Sequence, residues 1–209
     1  MIRFVPNALT VGRLFLSVIF LGMVLYSPEA ENETRLLDAA FVMFLVAAIT
    51  DIIDGHVARR FNVTSKFGRI VDPLADKVLV CGAFICFAWI GEPKLFNLPF
   101  NVLRVIHWSV VAILILREAY VTIIRQWAES KGLNFAATRS GKVKMLLQSI
   151  AIGTVLVKMA HVRDQAWGNW FTSVVFLLMV GATIFSGIRA SQRLSQAQPD
   201  SSEAPTPAS

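Results

Sequence analysis

The sequence predicts an all-α integral membrane protein with six transmembrane helices and a polar cavity open to the cytoplasmic side. The 209 residues are 55% hydrophobic and only 16% charged, below the roughly 25% charged residues of soluble domains. The apolar residues form long runs rather than short alternating ones, which indicates several membrane spans. Because backbone groups in lipid must satisfy one another, these spans should be helices. Four aspartates that interrupt the runs predict the cavity.

Six apolar runs are each close to the ~20 residues that a helix needs to cross the hydrocarbon core. They occupy approximately residues 8–26, 36–58, 68–90, 101–125, 142–159 and 170–188. Residues 1–190 should form one transmembrane domain. Residues 191–209 are polar and rich in Ser, Pro and Ala, so we expect a disordered cytoplasmic tail.

Loop charge predicts the orientation. The loops on one side carry most of the basic residues, and the opposite side carries fewer of them beside several glutamates. Basic loops stay in the cytoplasm, so the chain should be a multi-pass protein of the cell (inner) membrane with both termini on the cytoplasmic side. The same bias accounts for the net charge of +6, and we therefore expect the lipid bilayer, and no nucleic acid, as a partner.

The four aspartates have helical spacing. Asp51 and Asp54 share one helix face with Gly55, and Asp72 and Asp76 share a face of the next helix with Gly68. The loop between the two helices is short and basic. The helices should therefore be antiparallel neighbours that bring all four carboxylates near the cytoplasmic end.

The energetic cost of these charges predicts bound cations. One ionised aspartate at the bilayer centre costs about 3 kcal/mol, so four facing lipid would cost roughly 10 kcal/mol. They should instead line a polar cavity, where their mutual repulsion favours proton uptake or bound cations. Carboxylate ligands suit Mg²⁺ or Mn²⁺, and two ions would neutralise the four charges. Arg59 and Ser65 beside such a site would suit a diphosphate.

Two alternatives compete with a metal site. The aspartates could be solvated or capping residues at helix ends, which would explain one or two of them. They could also form the ion pathway of a cation transporter, although such sites usually lie near the membrane midplane on broken helices.

The stretch from Asp51 to Asp76 has the pattern D-x2-D-G-x2-A-R-x8-G-x3-D-x3-D. It resembles the signature of the CDP-alcohol phosphotransferase family at all eight defined positions. The segments VPNALTVGRLF, LREAYVTIIRQWAESKG and RSGKVKMLLQSIAI are similar to the first, fourth and fifth helices of members that use glycerol 3-phosphate. The resemblance covers about residues 4–190.

The resemblance implies a divalent-metal-dependent enzyme, often a homodimer, that transfers the phosphatidyl group of CDP-diacylglycerol to an alcohol and releases CMP. By position, the metal ligands would be Asp51, Asp54, Asp72 and Asp76, and Asp76 would also be the catalytic base. The CDP-diacylglycerol contacts would be Asn7, Thr10, Gly55, Ala58, Arg59, Ser65 and Gly68.

The alcohol is indicated by a group of basic residues. Arg117 and Arg125 are eight residues apart, about two helical turns, and with Lys142 or Lys144 they would form a cationic cluster. Such a cluster suits a phosphorylated acceptor, and the resemblance to members that use glycerol 3-phosphate makes that compound the leading candidate. Inositol phosphate fits equally well, and phosphatidylglycerol is a third acceptor. Alternatively, Arg117 pairs with Glu118 or with an aspartate.

Overall fold

A computed structural model describes residues 5–61, 66–96, 98–131, 139–163 and 165–197. Within these ranges, the side chains of residues 5–10, 51–61, 66–73, 129, 139–140 and 194–197 are outside the description. The described residues form six α-helices and one short 3₁₀ turn, Ser27–Glu29. The helices are α1 (Val5–Tyr26), α2 (Glu33–Phe61), α3 (Lys66–Ile90), α4 (Phe100–Ser130), α5 (Arg139–His161) and α6 (Ala166–Ala197). The predicted all-α fold is confirmed for this part of the chain.

Helix ends follow local chemistry. Pro28 lies in the 3₁₀ turn that follows α1. Because proline has no backbone N–H to donate, α1 does not continue through it. Gly91 ends α3 with a φ of +83°, a conformation that glycine adopts without steric cost. The amides of Gly91 and Glu92 both donate to the carbonyl oxygen of Phe87, at 2.9 and 3.0 Å, and so satisfy the end of the helix.

The six helices pack as a ring in the order α1, α2, α5, α6, α4, α3, with α3 returning to α1. Helices α3 and α5 also contact each other across the bundle. The interior is filled by large apolar side chains, among them Phe20, Phe44, Phe87, Ile152 and Met179. The cross-bundle contact brings side chains of α3 and α5 to one place, which matters for the site below.

Many outward-facing side chains are also apolar. Phe15, Val105, Leu116 and Leu177 are each more than half exposed. By length and composition, four helices of the described chain could cross a membrane: the stretch Val11–Glu29, and most of α4, α5 and α6. A large apolar outer surface of this kind suits lipid rather than water. The chain is a multi-pass membrane protein.

Helices α2 and α3 are not among these four, and their side chains are described only for residues 33–50 and 74–90. Charged residues interrupt both of them, Glu33 and Asp38 in α2 and Asp76 and Lys77 in α3. The six helices and the four apolar spans among the described residues agree with the prediction of six spans, and the spans at α2 and α3 stay predictions. Helix α6 continues to Ala197, beyond the predicted domain boundary at residue 190. Residues 198–209 of the predicted tail lie outside the described residues.

A close contact joins α1 and α3. A Cβ placed on Gly82 would lie 2.6 Å from Cδ1 of Leu21, closer than side chains tolerate without a shift. We expect Gly82→Val to lower the free energy of unfolding by about 1–3 kcal/mol through overpacking. Thermal unfolding in detergent would measure this. Gly181→Val is the matched control, because no neighbouring atom lies within 4 Å of a Cβ at that helical position. Equal melting temperatures for the two variants would contradict the prediction.

Candidate functional site

The acidic signature lies where the sequence analysis expected it, on two consecutive helices. Residues 51–59 belong to the end of α2, and Gly68, Asp72 and Asp76 belong to α3. Of these side chains only that of Asp76 is described, and it is half-buried. Ser65 and the side chains of Asn7 and Thr10 also lie outside the description. The roles of those residues stay predictions.

A small cavity surrounds Asp76. Its volume is about 40 Å³, and it lies between α3, α4 and α5. The polar lining consists of Asp76 and Lys77 from α3, Glu118 from α4, and Lys144, Gln148 and Ser149 from α5. Lys144 and Gln148 are one turn apart and so occupy one face of α5. The cavity therefore combines the predicted base with a buried cation and a buried amide.

Glu118 joins two cations at this cavity. Its Oε1 atom accepts hydrogen bonds from Lys144 Nζ and, at 3.0 Å, from Arg117 Nη1. All three side chains are less than one-fifth exposed. Two cations against one carboxylate leave a surplus positive charge beside the cavity. Charge-assisted contacts of this kind hold the cations in place and favour an anionic ligand.

The structure brings together two of the four basic residues predicted to bind the acceptor. Arg117 and Lys144 meet at Glu118, so the expected alternative pairing of Arg117 with Glu118 is confirmed. Arg125 and Lys142 are exposed, and neither joins the Glu118 cluster. Residues two apart on a helix point to nearly opposite sides, so Lys142 and Lys144 could not both face the cavity.

Lys77 has a structural partner on α4. Its Nζ donates to Thr122 Oγ1 at 2.5 Å, and that hydroxyl donates to the Glu118 carbonyl oxygen at 2.7 Å. The chain of contacts ties α3 to the turn of α4 that carries Glu118. It therefore helps to fix the distance between Asp76 and the cations.

Three buried or half-buried polar residues were not assigned roles from the sequence, and two of them, Glu118 and Gln148, line the Asp76 cavity. Glu118 had been considered only as a partner for Arg117. Gln148 is buried at 2% exposure, and Arg13 is buried at 3% exposure on α1, one turn after Thr10. In the sequence, each of these residues is a polar side chain within an apolar run. That pattern marks a residue as unusual but does not identify its partner.

The described residues hold no group of three or more His, Cys, Asp or Glu side chains that could bind a metal ion. Three of the four predicted ligands have side chains outside that part of the chain, so this finding does not test the metal site. The donor chemistry fits a hard cation, since all four predicted ligands are carboxylates. A larger groove of about 500 Å³ lies between α2, α5 and α6, but its lining is mainly apolar and includes none of the predicted site residues.

Comparison with known proteins identifies relatives over most of the chain. Residues 3–186 match the family model described as CDP-alcohol phosphatidyltransferase. A probable phosphatidylglycerophosphate synthase of Mycobacterium tuberculosis is 32% identical over 182 residues, covering 87% of this chain and 77% of that protein. The CDP-diacylglycerol–glycerol-3-phosphate 3-phosphatidyltransferase of Escherichia coli K12 is 31% identical over 198 residues, covering 94% of this chain and 96% of that protein. A protein of the same name from Mycoplasma pneumoniae is 34% identical over 160 residues, covering 70% of this chain and 65% of that protein.

Proposed function

The chain belongs to the CDP-alcohol phosphatidyltransferase family, and we propose that it transfers the phosphatidyl group of CDP-diacylglycerol to glycerol 3-phosphate. The products are phosphatidylglycerophosphate and CMP. The names of the relatives from Mycobacterium tuberculosis and Escherichia coli support this acceptor. The observation that carries the proposal is the cavity where Asp76 lies beside Lys144, with Arg117 joined to Lys144 through Glu118. It combines a base for a hydroxyl with cations for a phosphate.

The reaction replaces one phosphorus–oxygen bond with another. The acceptor hydroxyl oxygen bonds to the phosphorus of the phosphatidyl group, and the bond to the CMP oxygen breaks. Asp76 accepts the proton that the hydroxyl loses, which requires the hydroxyl to lie within hydrogen-bond reach of the carboxylate. Lys144 and Arg117 hold the acceptor phosphate, and the exposed Arg125 and Lys142 attract it from solution.

Two divalent ions, Mg²⁺ or Mn²⁺, are assigned to the four carboxylates of the signature. These are Asp51, Asp54, Asp72 and Asp76. When bound, such ions offset the negative charge of the diphosphate and align the attacking and leaving oxygens. The chain supplies oxygen ligands only, which is the ligand set these ions prefer.

The CDP-diacylglycerol head is assigned to residues around the acidic signature: Asn7, Thr10, Gly55, Ala58, Arg59, Ser65 and Gly68. The guanidinium of Arg59 suits a diphosphate because it donates two parallel hydrogen bonds. Gly55 and Gly68 carry no side chain, so the ligand or the facing helix can come close to the backbone.

The membrane arrangement completes the proposal. All six helices span the inner membrane, both termini are cytoplasmic, and the Asp76 cavity opens to the cytoplasm, where glycerol 3-phosphate is dissolved. The lipid tails of CDP-diacylglycerol stay in the bilayer. Residues 1–190 form the catalytic domain, residues 191–209 form the cytoplasmic tail, into which α6 continues as far as Ala197, and the enzyme is a homodimer.

An acceptor screen tests the function. We expect the purified protein, with Mg²⁺ or Mn²⁺ and CDP-diacylglycerol in detergent, to release CMP when glycerol 3-phosphate is supplied and not when serine, inositol phosphate or phosphatidylglycerol replaces it. Serine serves as the negative control, because it has no phosphate for the cationic cluster. Efficient turnover of inositol phosphate or phosphatidylglycerol instead would contradict the acceptor and leave the family chemistry intact.

Removal of divalent ions tests the metal assignment separately. We expect a chelator to abolish CMP release and added Mg²⁺ or Mn²⁺ to restore it, because the clustered carboxylates repel one another without cations. Monovalent salt at matched ionic strength is the control, since it screens charges without ligating them. Full activity after exhaustive chelation would disprove metal dependence.

A further inference from the structure

Gln148 lies at the Asp76 cavity with an unsatisfied amide. It follows Lys144 by one turn of α5, and its side chain is 2% exposed. Its Nε2 atom is buried and has no hydrogen-bond partner. Buried polar groups nearly always have partners, so an unpaired amide inside a substrate cavity points to a ligand that supplies one.

The cavity can hold that partner. Its volume of about 40 Å³ exceeds the roughly 10–15 Å³ that one water needs by the same measure. A hydroxymethyl-sized part of a ligand therefore fits beside Gln148, on the same side of α5 as Lys144. The rest of a three-carbon acceptor would extend toward the neighbouring cations.

The charges around the cavity identify the kind of group that Gln148 binds. Lys144 and Arg117, joined through Glu118, are the cations nearest to a bound phosphate, and Asp76 in the cavity lining is the proposed base for the hydroxyl that reacts. The amide of Gln148 is neutral and carries both donors and an acceptor. A second hydroxyl group is its natural complement, because a hydroxyl also donates and accepts.

We propose that Gln148 determines acceptor specificity by hydrogen-bonding the central hydroxyl of the three-carbon phosphorylated polyol. The inference rests on the proposed function and extends it to a residue outside the acidic signature and outside the cationic cluster. Phosphate affinity then comes from Arg117 and Lys144, whereas recognition of the polyol comes from the uncharged Gln148.

The test compares two acceptors on the same protein preparations. One is glycerol 3-phosphate. The other is 3-hydroxypropyl phosphate, which has the same phosphate and primary hydroxyl but lacks the central hydroxyl. We expect the wild type to prefer glycerol 3-phosphate by about tenfold in kcat/KM, the effect of one net hydrogen bond. Gln148→Met, which keeps the length and volume of the side chain, should reduce the ratio to about one by slowing glycerol 3-phosphate alone.

The ratio does not depend on the amount of folded enzyme, because each preparation is measured with both acceptors. Gln192→Leu, at an exposed glutamine of α6, is the matched control and should keep the wild-type ratio. An equal loss for both acceptors in Gln148→Met would overturn the inference, and so would an unchanged ratio or a wild type without preference. Absence of any turnover of glycerol 3-phosphate by the wild type would overturn the proposed function and this inference with it.

Discussion

Asp76→Asn is expected to reduce CMP release by about 10²–10⁴-fold, the usual contribution of a positioned general base. The amide has nearly the same shape as the carboxylate but does not accept the proton of the acceptor hydroxyl. Asp51, Asp54 and Asp72 remain, so metal binding should be largely retained. The two measurements are CMP release with saturating CDP-diacylglycerol and Mn²⁺ binding to the purified variant.

Asp38→Asn is the matched control for that substitution. Asp38 lies on α2, is half exposed, and contacts His161 Nε2 at 2.8 Å, away from the Asp76 cavity. The Asp38→Asn variant should release CMP at the wild-type rate. If Asp76→Asn retained full activity, Asp76 would not be the base. Cation flux through protein-containing liposomes, without any lipid product, would instead favour the transporter alternative.

Lys158→Met is expected to destabilise the protein by about 3–5 kcal/mol, because it leaves an uncompensated buried charge. Lys158 Nζ lies 2.8 Å from Glu92 Oε2, and the two side chains are 2% and 5% exposed. Glu92 follows the end of α3, and Lys158 lies near the end of α5, so the pair ties two parts of the bundle. The loss of unfolding free energy would be measured by unfolding the purified protein in detergent with heat or with denaturant.

The double variant Lys158→Met with Glu92→Gln separates the charge effect from packing. Removing both charges should recover most of the lost stability, and the glutamine can still accept the Lys94 amide hydrogen bond that Glu92 accepts at 3.1 Å. Arg163→Met breaks a more exposed pair with Glu33 and should cost less than about 1 kcal/mol. A double variant no more stable than Lys158→Met would show that the charge left on Glu92 is not the cause.

The local features of the site were predictable from the sequence. The helical spacing of Asp72 and Asp76 placed them on one helix, and α3 spans both. Arg117 and Glu118 are neighbours in the chain, so their pairing was among the expected alternatives. Such predictions succeed because they depend on residues within one or two turns of each other.

The choice among the cations was not predictable in the same way. Lys142 and Lys144 looked equivalent from the sequence, but only Lys144 is buried at the Asp76 cavity. Its partner Glu118 lies 26 residues away on another helix. Gln148 had no distinguishing neighbour in the sequence, and its importance comes from a cavity that three helices create together.

The sequence by itself determined the helical membrane architecture, the number of helices and the acidic signature, since hydropathy and residue spacing are local properties of the chain. Only the tertiary structure decided which polar side chains meet: Lys144 with Glu118, Lys77 with Thr122, and Lys158 with Glu92, 66 residues away. The physical reason lies in the surroundings of a membrane helix. Its lipid-facing and core-facing sides are both apolar, so hydropathy does not reveal which side faces the bundle or which helices become neighbours. That order of packing places Asp76 beside its cations.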